Sequence, residues 1–395
     1  MNVGDWIFII LAALVFYTYL GYGIVLLILV KIKELISPRN RKELPDELPE
    51  VTLLIAAYNE EGVVEEKMAN CRALDYPKDR LHIYWVTDGS TDTTNELLKA
   101  YPEVIVLFDP QRGGKSAAIN RAMPSVKTPL VVYTDANTMV NDQAIKEMVR
   151  EFTNPKVGCV AGEKRVRTEE KQNAASNEGL YWKYESKLKE WDYRLYSAVG
   201  AAGELFAIRT ELFIVLPNDT LLDDFVMSMK IADKGYLIAY CKEAYAEEEA
   251  SFNVVEESKR KVRIAAGGLQ SIYRLGSLMN LFKHPTLTFQ YVSHRVLRWS
   301  ITPLALLILL PLNIYLAFVA HPIYIATLAC QVIFYGSAYW GKVLAERQIK
   351  NKWLFVPYYF MMMNMNVLKA LPYLRKQKGK GAWAKAKRTE SKNNK

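Results

Sequence analysis

Residues 51–61 read VTLLIAAYNEE, a short β-rich apolar run that ends in an aromatic and acidic segment. Three further apolar runs follow, at 81–87, 104–108 and 130–134, and a helix-compatible stretch separates each run from the next. Such alternation predicts an α/β fold with a mostly parallel sheet covered by helices. In these sheets ligands bind at the carboxyl ends of the strands, where Tyr58, Asp88 and Asp135 fall.

The composition narrows the class of protein. A length of 395 residues accommodates one large domain with accessory segments. The formal net charge is +9, but the excess lies in residues 31–42, 342–352 and 375–395, which flank apolar segments. A membrane surface explains that placement more simply than a nucleic acid does, so we expect no nucleic acid partner. The cysteines have neither metal-type nor disulfide-type spacing, which favours free thiols in a reducing cytosol.

Both ends of the chain carry membrane-type segments. Residues 6–30 form an uncharged apolar run long enough to cross a bilayer, and because basic residues follow it, the positive-inside rule places what comes next in the cytoplasm. The runs 296–319 and 323–343 predict two more spans. Segment 353–374 is less simple, since its prolines and the basic tail after it oppose a further crossing. We expect a multi-pass protein of the inner (plasma) membrane with a cytoplasmic α/β domain.

The predicted order of parts follows from these segments. It comprises an N-terminal transmembrane helix (1–32), a linker (33–50), the cytosolic α/β domain (51–268), interfacial amphipathic helices (269–295), a C-terminal membrane region of two or three spans (296–374) and a basic tail (375–395). The second half of the α/β domain, from about residue 158, is expected to place helices over the edge of the sheet.

Three loops after the predicted strands carry candidate ligand-binding residues. Tyr58 and Glu60 bring a ring and a carboxylate to the edge of the sheet, where a nucleobase could pack, although a tyrosine there can also be ordinary packing. Asp88 opens an Asp-Gly-Ser-Thr-Asp segment that predicts either a capped turn or a hydrogen bond to a base or ribose. Arg112 and Lys115 flank two glycines, a pattern that suits a phosphate. The Walker spacing is absent, which excludes an ATPase of that type.

Two acidic motifs complete the candidate chemistry. Asp135 and Asn137 lie two positions apart after a buried strand, and their oxygens suit Mg²⁺ or Mn²⁺, although such residues also form plain turns. Asp223 and Asp224 are adjacent, so each raises the proton affinity of the other, as a general base for a hydroxyl requires. Capping of a helix is the alternative for this pair.

Taken in order, these motifs resemble those of the family 2 glycosyltransferases, particularly the membrane-integrated branch with cellulose, hyaluronan and poly-N-acetylglucosamine synthases. The resemblance implies a GT-A fold, which is Rossmann-like, and an inverting single displacement from a UDP-sugar to a glycan or lipid-linked acceptor, with Mg²⁺ or Mn²⁺. It also implies roles for individual residues: Tyr58, Glu60 and Asp88 for the uridine, Lys115 for the diphosphate, Asp135 and Asn137 for the metal that binds with the donor, Gly203 and Glu204 for the acceptor, and Asp224 with Asp223 for the base.

The sequence departs from the family pattern at two places. Asn137 stands where many members carry a second aspartate, which implies weaker metal binding. Processive synthases carry Gln-x-x-Arg-Trp, whereas residues 260–264 here are Arg-Lys-Val-Arg-Ile, so Arg263 alone matches as an acceptor-side residue. Polymer synthesis and single-sugar transfer to a lipid-linked acceptor therefore both remain open, as does an export partner. A metal-dependent nucleotidyltransferase and an inactive membrane scaffold are the alternatives from other classes.

Overall fold

The computed structural model describes residues 2–38, 42–167, 173–249, 254–347, 349 and 351–377. Most of the predicted basic tail at 375–395 lies outside the described residues. Within them, an α/β domain is joined to long apolar helices from both ends of the chain.

One eight-stranded sheet forms the centre of the described domain. Its strands are β1 (Val51–Ala57), β2 (Leu81–Asp88), β3 (Val104–Asp109), β4 (Leu130–Asp135), β5 (Thr138–Val140), β6 (Val157–Arg167), β7 (Leu205–Arg209) and β8 (Leu237–Glu249). Their order across the sheet is β3-β2-β1-β4-β7-β6-β8-β5. β1 pairs in parallel with β2 and β4, and β2 pairs in parallel with β3, so the α/β prediction is confirmed.

The register of these strands brings the predicted loops to one edge. Ala57 at the end of β1 pairs with Thr87 on β2, and Ala56 pairs with Asp135 on β4. The three strands therefore finish at the same level, and the segments that follow them lie side by side. This edge is where the candidate site residues of the first half of the domain meet.

The second half of the domain adds strands to the same sheet, which the sequence analysis did not predict. β7 runs antiparallel to β4, with Leu205 opposite Thr134, and β6 and β8 continue the sheet beyond it. The loop before β7 consequently lies beside the carboxyl end of β4. Gly203 and Glu204 belong to that loop, so the sheet itself brings the two halves of the domain together.

Burial on both faces explains the apolar composition of the central strands. Consecutive residues Leu53, Leu54 and Ile55 of β1 are all buried, as expected for a strand covered by helices on both sides. Tyr133 on β4 stacks on Phe206 of β7, with ring centroids 4.5 Å apart. That contact fastens the second half of the domain to the first.

The helices cover the sheet and extend away from it. They are α1 (Val3–Ile36, with a π-helical turn at Tyr17–Gly21), α2 (Val64–Ala73), α3 (Thr94–Leu98), α4 (Lys115–Ala122), α5 (Ala144–Glu151), α6 (Asn173–Leu195), α7 (Asp223–Asp233), α8 (Val254–Arg274), α9 (Pro285–Tyr291), α10 (Ile301–Val319), α11 (Ile323–Glu346) and α12 (Lys352–Gln377). Among the described residues, α1, α10 and α11 are long and apolar enough to cross a membrane.

Two predicted boundaries fall inside helices. α1 continues past residue 32 to Ile36, because its last turn is bound to the α/β domain: the guanidinium of Arg194 donates to Glu34 Oε1 at 2.7 Å. The predicted boundary at residue 268 falls within α8. Gln270 and Arg274 beyond it donate to Asp219 at 2.9 and 2.7 Å, so the end of α8 still packs against the α/β domain.

The last predicted membrane segment forms α12, a continuous helix that includes Pro357 and Pro372. α12 lies along α8 and α11, with Ala370 buried against Ala265 and Ala266 of α8. It is not one of the helices that satisfy the length and hydropathy of a span in the described chain. Its contacts with α8 instead connect it to the α/β domain.

A buried cluster of charged residues joins the α/β domain to the apolar helices. On α6, Asp192 accepts from the hydroxyl of Tyr22 in α1 and lies 2.6 Å from His294 Nδ1. Glu185 accepts from Arg298 at 3.2 Å, in the segment that leads into α10. Buried ion pairs with several hydrogen bonds are specific in geometry. This cluster therefore links α1 and the segment before α10 to α6 of the α/β domain.

Candidate active site at the carboxyl edge of the sheet

A shallow cleft lies at the carboxyl edge of the first strands, and Tyr58, Asp88, Arg112, Gly114 and Lys115 contribute to its walls. The guanidinium carbon of Arg112 is 3.6 Å from the centre of the Tyr58 ring, a stacked cation–π contact. An aromatic face and a planar cation thus meet at the place where the sequence predicted a nucleobase and a phosphate.

Asp88 shapes the glycine loop. Its Oδ1 accepts from the N–H of Gly113 at 3.0 Å, and its Oδ2 accepts from the N–H of Gly114 at 2.7 Å. Gly114 has a φ of 92°, which an L side chain rarely adopts, so the glycine is required for this turn. The predicted hydrogen bond of Asp88 to a base or ribose would compete with these two bonds.

Glu60 lies in the loop after Tyr58, and that loop is fastened to the segment after β2. The N–H of Glu60 donates to Thr94 Oγ1 at 2.9 Å, and Asn59 accepts from the N–H of Thr91 at 2.8 Å. Asn59 has a φ of 53°, a conformation that asparagine tolerates better than most residues. The geometry therefore holds one wall of the cleft in a defined conformation.

Lys115 is at the centre of the site. It begins α4, and its Nζ lies 2.6 Å from Asp135 Oδ1. Burial alone would lower the pKa of Lys115, but the carboxylates of Asp135, Asp223 and Asp224 outweigh it and raise the pKa. The ammonium therefore remains charged and neutralises the carboxylates around it.

Asp223 and Asp224 form the first turn of α7, beside the same ammonium. A methyl group placed on Gly203 would lie 3.3 Å from Asp224 Oδ2 and 3.3 Å from Lys115 Nζ, so all three residues surround one small space. Burial raises the pKa of Asp224 to about 7, Asp223 adds to the rise, and Lys115 opposes it. Asp223 Oδ2 is buried without a hydrogen-bond partner in the described residues.

Asp135 and Asn137 fit the requirements of a small divalent cation. Both side chains are partly exposed, while Ala136 between them is buried. Asp135 already contacts a cation, the ammonium of Lys115. In the described chain no three His, Cys, Asp or Glu side chains are grouped as a metal site. Mg²⁺ commonly takes few protein oxygens and completes its shell with phosphate and water, and this pair suits that arrangement.

Glu204 is directed into a buried ionic cluster. Its carboxylate lies 2.6 Å from Lys164 Nζ and 3.1 Å from Arg260, and both cations also contact Glu248. Burial would raise the pKa of Glu204, but Lys164 and Arg260 outweigh it and lower the pKa. The backbone at Gly203, rather than the Glu204 carboxylate, faces Asp224.

Arg263 lies on α8, near the acidic residues of the site. Burial lowers the pKa of its guanidinium and Arg260 adds to the effect, whereas the charges of Asp135 and Asp223 oppose it. In the part of the chain that the structure describes, its side chain has neither a hydrogen bond nor an ion pair. A half-buried guanidinium in that state is suited to an anion that enters the cleft.

Sequence reasoning missed several charged residues around the site. Lys67 is fully buried beneath the turn that carries Asp135. Lys189 on α6 is also buried, and burial lowers its pKa. The charges of Glu204 and Asp224 are close enough to oppose that effect. Lys164 forms a buried ion pair with Glu204. Lysines on amphipathic helices and strands are ordinarily exposed, so the sequence carries no signal for their burial.

Comparisons with known proteins relate the α/β domain to glycosyltransferases. Residues 52–216 match the family model described as glycosyl transferase family 2. The chain is 28% identical over 237 residues to poly-beta-1,6-N-acetyl-D-glucosamine synthase of Staphylococcus aureus (strain MSSA476), covering 58% of this chain and 57% of that protein. It is 32% identical over 251 residues to beta-monoglucosyldiacylglycerol synthase of Nostoc sp. (strain PCC 7120), covering 59% and 52%. The chain thus spans little more than half the length of these relatives.

Among solved structures, a mannosyltransferase from Pyrobaculum calidifontis in complex with GDP-Man and Mn²⁺ superposes with a TM-score of 0.71. The likeness covers 94% of this chain and 99% of that one at 22% identity, so it bears on the fold. The predicted GT-A fold is confirmed.

Proposed function

We propose that this chain is a family 2 glycosyltransferase, an inverting, metal-dependent enzyme that moves a sugar from a UDP-sugar to a membrane-associated acceptor. The match of residues 52–216 to that family model supports the assignment. One observation carries the proposal: Lys115 lies 2.6 Å from Asp135, on the predicted donor side, and beside Asp224, on the predicted acceptor side. A donor and an acceptor held at these two carboxylates would meet at one centre.

The donor is held by the first half of the domain. The Tyr58 ring and the Arg112 guanidinium form the wall for the base, and Lys115 supplies positive charge for the diphosphate. Asp135 and Asn137 would hold Mg²⁺ or Mn²⁺. When bound, the cation would stabilise the negative charge that builds on the departing nucleotide.

The acceptor is activated by Asp224. Its carboxylate takes the proton of the acceptor hydroxyl, the oxygen forms a bond to the anomeric carbon of the sugar, and the bond from that carbon to the diphosphate oxygen breaks. The pKa of about 7 suits this task, because the carboxylate is then basic enough to accept a proton and still largely ionised above neutral pH. Attack from the side opposite the diphosphate inverts the anomeric configuration.

The acceptor belongs to the membrane. One relative is named for a polysaccharide and another for a glycolipid, so the acceptor class is a growing glycan or a lipid-linked sugar acceptor. α1, α10 and α11 anchor the enzyme in the plasma membrane with the domain in the cytoplasm, where nucleotide sugars occur. Gly203 leaves room for the acceptor beside Asp224.

The test is a product assay with a panel of donors. Purified full-length protein is incubated with Mn²⁺ or Mg²⁺, membrane lipid extract, and each of a series of UDP-sugars, with GDP-mannose as a further donor. Release of UDP without pyrophosphate, together with an inverted anomeric product, is expected. Pyrophosphate release would favour a nucleotidyltransferase instead. No release of nucleotide from any donor would overturn the proposal.

A further inference from the structure

A buried lysine lies beneath the turn that carries Asp135 and Asn137. The side chain of Lys67, on α2, is fully buried. Its Nζ donates to the carbonyl oxygen of Thr138 at 2.5 Å and to Thr134 Oγ1 at 3.3 Å. These two acceptors immediately flank the Asp135–Asn137 segment in the chain. The ammonium therefore fixes both ends of the turn at once.

The same hydrogen bonds extend to the acceptor side of the site. The Thr134 hydroxyl donates to the backbone oxygen of Glu204 at 3.0 Å, and the Thr138 hydroxyl donates to the backbone oxygen of Asp135 at 3.0 Å. Lys67 thus lies at the base of a network that links α2, the turn after β4, and the loop before β7. A shift at Lys67 would be transmitted to both carboxylate-bearing sides of the cleft.

The charge of Lys67 has a cost that packing alone does not explain. Burying an ammonium is unfavourable unless hydrogen bonds or opposite charges compensate. Within the described residues no carboxylate forms an ion pair with Lys67. Burial lowers its pKa to about 8, and the charges of Cys71 and Asp135 oppose that shift. A methionine of similar length would fill the space without that cost. What the ammonium provides, and a methionine does not, is the pair of hydrogen bonds to the turn.

We propose that Lys67 is a positioning residue that holds the Asp135–Asn137 turn in the conformation that receives the divalent cation. It acts through the carbonyl of Thr138 and the hydroxyl of Thr134, and it touches neither the cation nor the substrates. The inference rests on the proposed function for the presence of the cation and for nothing else.

The test measures metal binding without turnover. Free Mn²⁺ is followed by electron paramagnetic resonance as full-length protein is titrated with UDP present and, in a parallel series, with GDP, and without acceptor. Lys67→Met is expected to weaken Mn²⁺ binding about tenfold or more, since residues that orient metal ligands are worth about 10–100-fold in affinity.

Asn70→Ala is the matched control. Asn70 lies one helical turn further along α2. Its Oδ1 accepts from the N–H of Val140 at 2.9 Å, and its Nδ2 donates to the carbonyl oxygen of Val140 at 2.7 Å. Val140 is on β5, beyond the turn that carries Asp135 and Asn137. This variant should lower the melting temperature and keep the wild-type Mn²⁺ affinity. Equal affinity in wild type and Lys67→Met, or an equal loss in both variants, would overturn the inference.

If Lys67→Met does not fold, Thr134→Val takes its place, because it removes the hydroxyl and keeps the shape; unchanged Mn²⁺ affinity in that variant would overturn the inference. Wild-type protein that binds no Mn²⁺ with either nucleotide would also overturn it. Wild-type protein that binds Mn²⁺ but transfers no sugar contradicts the proposed function alone and leaves the Lys67 result standing.

Discussion

Three carboxylates at the site share one ammonium, and the balance among them determines how each behaves. Lys115 contacts Asp135 directly, and its charge also acts on Asp223 and Asp224. Like charges crowded in a buried place cannot all be ionised at low cost. Asp224, where burial and Asp223 outweigh Lys115, is the carboxylate whose pKa rises into the neutral range. Asp224, the proposed base, is thus the carboxylate whose raised pKa lets it accept a proton near neutral pH.

The pH dependence of turnover follows from that environment. A carboxylate must be deprotonated to accept a proton, so kcat/KM is expected to rise as pH increases through about 7 and to level off above it. The same raised pKa means that protonated Asp224 favours the folded state at low pH, and this contribution is lost as pH rises through about 7. Steady-state rates in a series of buffers check the first statement. A profile that is flat across neutral pH would contradict it.

The space beside Asp224 is a second prediction at the scale of single residues. Gly203→Val is expected to reduce turnover by at least about tenfold, because even its Cβ would lie 3.3 Å from both Asp224 Oδ2 and Lys115 Nζ. Gly62→Val is the control, since a Cβ there meets no atom within 4 Å. Steady-state kinetics of both variants compare the two positions. Similar rates in both would show that Gly203 does not border the reaction centre.

At the scale of elements, the first half of the domain was predictable and the second half was not. The run at 51–57 and its successors have the unbroken apolar pattern of strands buried on both faces. β6 and β8 end in charged residues, such as Lys164 and Glu248, that look exposed in sequence and are buried because they pair with each other. Asp88 and Glu204 were predicted as site residues, but their partners were not. Asp88 binds backbone N–H groups and Glu204 binds cations distant in the sequence, and no local pattern reveals either.

The ionic cluster around Glu204 is expected to stabilise the junction of β6, β8, α8 and the loop before β7. Lys164→Met would leave Glu204 and Glu248 to share Arg260, and removal of one partner of a buried pair costs about 3–5 kcal/mol. Lys99→Met is the matched control, because Lys99 pairs with Glu96 at 3.7 Å on the surface, where such pairs contribute about 0–1 kcal/mol. Denaturant unfolding measures both. Equal stability of the two variants would contradict the assignment.

For the whole molecule, the central point is that residues far apart in the chain form one reaction centre. Asp135 ends a strand of the first half, Asp224 begins a helix of the second half, and the antiparallel pairing of β4 with β7 brings the two halves together. The buried cluster of Glu185, Asp192 and His294 then connects this domain to the apolar helices. The proposed reaction centre and the apolar helices are therefore linked through one buried cluster.

The most direct measurement is the paired behaviour of Asp224→Asn in nucleotide release and in nucleotide binding. Asparagine has the same shape but cannot take the acceptor proton, so UDP release from the sugar donor should fall by about 100-fold or more. Binding of UDP with Mn²⁺ should be retained, because Tyr58, Lys115 and Asp135 are untouched. Turnover close to that of the wild type in this variant would contradict the assignment of Asp224 as the base and, with it, the single reaction centre.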